Sequence, residues 1–86
     1  MPVLSKFYGI VIRMVFSRAL GAHFHALYGD REVVVGLHPL RIIQGDAPPR
    51  VADLVLEWGA LHHRELMQAW QRLGQARPPE PIAPLN

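Results

Sequence analysis

Two pairs of side chains in this 86-residue chain have the types and spacing to do chemistry: His23 with His25, and His62 with Glu65. In an extended strand, His23 and His25 project to one face about 7 Å apart, a spacing at which both imidazoles can reach one divalent metal ion. A working metal site needs a third ligand, and the pair names none. His62 and Glu65 stand one helical turn apart, where a carboxylate can orient an imidazole as a general base. The same two groups can instead act as a buried polar pair that holds a helix in register through its hydrogen bonds. No Gly-rich phosphate loop, nucleophile elbow or suggestively spaced carboxylate pair accompanies them. No catalytic residue is assigned, and an enzyme has no support beyond these pairs.

The element that must carry the second pair is residues 51–73, the longest periodic stretch of the chain. Val51, Leu54, Val55, Trp58, Leu66, Ala69 and Leu73 form one stripe at helical spacing, and Asp53, Glu57, Arg64, Gln68 and Gln71 take the other side. This predicts one long helix, with Asp46 capping its start, Pro48 and Pro49 near its first turn, and Gly74 as its stop. His62 and Glu65 would project into the apolar stripe. Trp58 and Trp70 read as packing anchors at helical spacing, and His38 and His63 as ordinary loop and surface residues.

The elements that carry the first pair are strands. Residues 1–6 read as a short lead and residues 7–16 as one strand, with Tyr8, Ile10, Ile12, Met14 and Phe16 on one face and Val11, Arg13 and Val15 on the other. Residues 22–28 and 31–36 form a hairpin across Gly29-Asp30, whose two-residue turn sets Phe24 opposite Val35, His25 opposite Val34 and Ala26 opposite Val33. Residues 40–44 give a fourth short strand. If Phe24, Ala26 and Tyr28 face the helix, which hydrophobicity favours, His23 and His25 lie on the outer face. With the pleat reversed they would converge on His62 and Glu65.

Composition bounds what such a fold can do. The net charge is only +2, and the nine basic residues are scattered, which makes a mildly basic surface without a dense cluster. The absence of cysteine excludes a disulfide framework and fits a reducing compartment. No signal peptide or membrane span is visible, which predicts a cytoplasmic protein. Residues 75–86 hold four prolines and form an extended segment beyond a single 1–74 domain. That segment reads as a loose terminus; alternatively, Ile82 and Leu85 dock in a groove of this or another subunit, with Leu56, Met67 and Trp70 as the receiving line.

The runs FYGIVIRM, HFHALYG and LVLEWGALHHREL, followed by Trp70, closely resemble the small bacterial proteins of the domain of unknown function 4160 family. The resemblance runs along nearly the whole chain. It implies a compact α+β protein, often found beside small regulatory or toxin–antitoxin-like proteins, and brings no activity with it. The family's usual Asp-His-x-Pro-Pro before the His-x-His pair is replaced here by Arg18, Ala19, Leu20, Gly21 and Ala22. That replacement weakens a metal or catalytic reading for this chain.

These readings predict a two-layer α+β domain, an antiparallel sheet of three to four strands packed on one long C-terminal helix. The uncovered face, with Val11, Arg13, Val15, Leu27 and Val34 beside the histidines, suits an interaction or regulatory module that self-associates or pairs with another small regulatory protein. Two further readings are a nucleic-acid-binding regulator using Arg13, Arg18, Arg31 and Arg41, and a metal-dependent hydrolase on His23 and His25.

Overall fold

The computed structural model describes residues 2–86, so Met1, part of the expected lead, lies outside the described residues. The fold is α+β: five antiparallel strands in the order β1-β2-β3-β4-β5, followed by two helices. The strands are β1 (Val3–Phe7), β2 (Ile10–Arg13), β3 (His23–Tyr28), β4 (Arg31–Leu37) and β5 (Leu40–Gly45). The helices are α1 (Pro49–Leu61) and α2 (His63–Gly74).

The extra strand comes from a turn hidden inside the expected 7–16 strand. Tyr8 and Gly9 both take positive φ, 50° and 78°, and fold β1 back on β2 with Phe7 opposite Ile10. Two left-handed residues are what a tight type I′ hairpin requires, and that turn ordinarily uses Asn-Gly. Tyrosine there carries the steric cost of the left-handed region. We expect Tyr8→Asn to raise stability by about 1 kcal/mol, a shift of several degrees in a thermal melt followed by circular dichroism. The Gly29-Asp30 hairpin has the expected register, with Phe24, His25 and Ala26 opposite Val35, Val34 and Val33.

Alternation then sorts the sheet. Ile10, Ile12, Phe24, Ala26, Val33 and Val35 are buried together on the inner face, against Val51, Val55 and Trp58 of α1. Trp58 is fully buried, with its ring 5.5 Å from Phe7 and 5.6 Å from Phe24. Gly59 lets α1 approach closely, since a Cβ there would come within 3.1 Å of a Leu40 methyl.

The single long helix is instead two, and the expected cap is different. Asp46 does not cap α1; its carboxylate accepts from Arg31 Nη1 at 3.3 Å, while Pro48 occupies the cap position with Pro in the first turn. At His62 the backbone leaves helical geometry (φ −113°, ψ 24°), ending α1 and starting α2. The cause is tertiary: His63 Nε2 donates to the Leu37 carbonyl at 2.6 Å, which fastens the start of α2 to the end of β4. His63 is therefore an anchor and not an ordinary surface residue. Past the bend, α2 brings Leu66 and Ala69 into the same core.

Gly74 closes α2, but the left-handed stop comes two residues later at Ala76, φ 57°. The Ala76 amide bonds the Leu73 carbonyl at 3.1 Å and the Arg77 amide bonds the Arg72 carbonyl at 2.8 Å, the pair of bonds that defines a Schellman turn. The turn sends the proline-rich segment back along the domain. It is not loose: the Ile82 amide bonds the Leu4 carbonyl at 2.8 Å, and Trp58 Nε1 donates to the Ala83 carbonyl at 2.9 Å. The receiving surface is thus the β1 strand and Trp58. Of the expected line, Trp70 stacks on Phe16 instead, 4.8 Å between ring centres.

Candidate functional site

With Phe24 and Ala26 packed inward, parity puts His23 and His25 on the outer face of β3. Strand pairing arranges that face in rows. Val11, Leu27 and Glu32 form one row, Arg13, His25 and Val34 the next, and His23, Gly36 and Arg41 a third. The result is an apolar centre of Val11, Leu27 and Val34, bordered by Arg13 on β2 and Glu32 on β4. Val15, grouped with them by its alternation, lies beyond the end of β2 and is exposed outside the paired rows.

The two histidines adjoin, their ring centres 5.1 Å apart, in different settings. His23 is buried; its Nδ1–H donates to the Gly21 carbonyl at 2.7 Å, and Trp70 of α2 stacks 5.2 Å from its ring. Phe16, Trp70, His23 and His25 thus run on as one aromatic series across the end of the sheet. His25 Nδ1 pairs with a Glu32 carboxylate oxygen at 2.9 Å, and its Nε2 is buried without a hydrogen-bond partner. Such an atom forgoes its hydration, an unfavourable term for the fold. Among the described residues no group of three His, Cys, Asp or Glu side chains is placed to hold a metal ion, so the pair gains no third side-chain ligand of that kind. Segment 18–22, which precedes the pair, contributes the Gly21 carbonyl and no ligating side chain.

His62 and Glu65 do meet, Nδ1 to Oε1 at 2.7 Å. They are not a buried pair, because the Glu65 side chain is 48% exposed and that of His62 19%. His62 is the residue that precedes α2 and Glu65 lies in its first turn, so their bond spans the bend while the His62 ring rests 5.4 Å from Trp58. The arrangement stabilises the junction of the helices. The two pairs remain apart, His23 and His25 on the outer face and His62 beside the core tryptophan.

The four arginines of the nucleic-acid reading do not gather on one surface. Arg13 and Arg41 belong to the outer face, Arg18 is exposed in the β2–β3 connection, and Arg31 pairs with Tyr28 in register and with Asp46 through its guanidinium. No helix of the described residues is long and apolar enough to cross a membrane.

Two features had little signal in the sequence. The Phe16–Trp70 wall over His23 joins residues far apart in the chain. The second is a cleft of about 410 Å³ lined by Tyr8, Tyr28, Arg50, Leu54, Glu57 and Leu85, beside the docked segment. Nothing in the sequence announces it, since Tyr8 falls inside the expected 7–16 strand.

Neither any curated protein nor any solved structure matches the chain. The sequence profile described as Domain of unknown function (DUF4160) matches residues 9–71, from the turn before β2 to the body of α2, and the chain belongs to that family.

Proposed function

We propose that this protein is an interaction module that self-associates through the outer face of its sheet, beyond the end that Trp70 of α2 covers at His23, with a regulatory role exercised through that contact. The observation that supports it is the ordered face itself, with Val11 and Leu27 half-buried and in register across β2 and β3, beside Val34 of β4, which is already buried in the single chain. Arg13 and Glu32 border that centre on opposite sides. A two-fold pairing of identical faces brings the arginine side of one copy to the acidic side of the other, as closed symmetric dimers require. Covering the half-buried Val11 and Leu27 also adds to the small core that an 86-residue chain can build alone.

Leu27 is the most informative position, since it is central, half-buried and paired with both Val11 and Glu32. Light scattering on the wild-type chain should give the mass of a dimer, and Leu27→Asp should give a monomer with an unchanged circular dichroism spectrum. A wild-type monomer throughout the micromolar range would refute this reading.

A further inference from the structure

The proline-rich segment occupies a groove as a ligand would. It lies extended beside β1 with one main-chain bond to that strand, Ile82 amide to Leu4 carbonyl at 2.8 Å. It offers one carbonyl, at Ala83, to the Trp58 indole at 2.9 Å, and buries one side chain, Ile82, to 5% exposure. Leu85, two residues beyond Ala83, sits at the mouth of the two-tyrosine cleft. Backbone bonding to a strand for affinity and pockets at intervals for specificity is the pattern by which sheet proteins capture extended peptides.

Two observations indicate that this occupant is replaceable. The connection between α2 and Ile82 is fastened through Arg72, to the Pro78 carbonyl at 3.3 Å and to Glu80 at 3.1 Å, with a Glu80 side chain 76% exposed. An ion pair so open to water holds weakly. The cleft beside Leu85 also keeps about 410 Å³ of space between tyrosines, with Arg50 and Glu57 among its other lining residues, more than leucine fills.

We propose that the groove between β1 and Trp58 is a binding site for an extended peptide of a partner protein with the pattern Ile-x-Pro-aromatic, and that residues 82–85 close it in cis until such a peptide displaces them. The aromatic side chain enters between Tyr8 and Tyr28, where ring packing adds to burial. Tyr8, 59% exposed in its left-handed turn, is then held where it walls the cleft. This site is separate from the outer sheet face and stands whether or not the chain dimerises.

The test uses the full chain and the Trp58 indole N–H resonance, which reports the bond to Ala83. Ile82→Glu places a carboxylate where the side chain is buried, which ejects the segment and leaves the groove intact. Titration of this ¹⁵N-labelled variant with a synthetic peptide of residues 78–86 should return the Trp58 indole toward its wild-type position, and the same peptide with Leu85→Phe should do so at lower concentration. Wild-type protein should need at least about tenfold more of either peptide, because its own segment competes at a millimolar effective concentration. A folded Ile82→Glu variant whose indole answers neither peptide overturns the proposal. If the variant fails to fold, wild-type protein is titrated with the Phe peptide, and an indole unmoved at several millimolar overturns it equally. Wild-type mass doubling with concentration while Leu27→Asp also doubles would instead give the groove to the segment of a second copy, against a partner peptide.

Discussion

Trp58→Ala should leave the chain unfolded or close to it at 25 °C. The side chain is fully buried and lies where Phe7 of β1, Phe24 of β3, His62 at the helix junction and Ala83 of the proline-rich segment converge. Removing a buried Trp or Phe side chain from a core costs about 3–5 kcal/mol, since the cavity closes only in part. Loss of the indole donor adds about 1 kcal/mol by leaving the Ala83 carbonyl unpaired. A domain of this size has a total stability of roughly 4–13 kcal/mol, so the sum is comparable with the whole. A thermal melt should therefore show a midpoint lowered by about 20 °C or more, or no cooperative transition. Trp58→Phe separates the terms in part, because it keeps one aromatic ring in the core while removing the indole N–H together with the second ring. It should cost about 1–2 kcal/mol and free the proline-rich segment preferentially. An alanine variant melting within 5 °C of wild type would mean that the convergence seen at Trp58 does not hold the domain together.

What could be read from the sequence, and what could not, divides along sequence separation. The β3–β4 hairpin was legible because Gly29-Asp30 is a turn with its own chemistry and the strands alternate cleanly around it. The face of α1 and α2 was legible as a stripe, since Val51, Val55, Trp58, Leu66 and Ala69 are all buried and Asp53, Glu57, Arg64, Gln68 and Gln71 all exposed. The β1–β2 turn was hidden because Gly9 falls inside an alternating run and Tyr8 is not a turn residue by propensity; the pairing of Val3 with Arg13 overrides it. The break at His62 has no glycine or proline to announce it, because its cause is the bond from His63 to a carbonyl 26 residues away. His23 could be placed on the outer face by parity, but its burial beneath Trp70 depends on a partner 47 positions on (70 − 23). Proline spacing showed that residues 75–86 are neither helix nor central strand; it could not show that an extended chain would find a strand and an indole to bond.

Gly45 is the most sensitive glycine of the fold. It ends β5 opposite Val33, with φ 79°, immediately before the connection to α1. A Cβ built there overlaps the Glu32 carbonyl oxygen and comes within 3.2 Å of Val33 Cα, so backbone would have to move and not a flexible side chain. Gly45→Ala thus carries two costs, the left-handed conformation at about 1–2 kcal/mol and the separation of β5 from β4 where they pair. Gly29 provides the control: its φ is 59°, and a Cβ there meets nothing within 4 Å. Gly29→Ala should show the conformational cost alone, about 1–2 kcal/mol, and Gly45→Ala at least about twice that. Amide hydrogen exchange should locate the difference, with protection lost at Val33 and its neighbours in Gly45→Ala and retained there in Gly29→Ala. Equal destabilisation by the two substitutions would show that β5 yields at its end without cost, and that the close approach of Gly45 to Glu32 does not set the register of this strand.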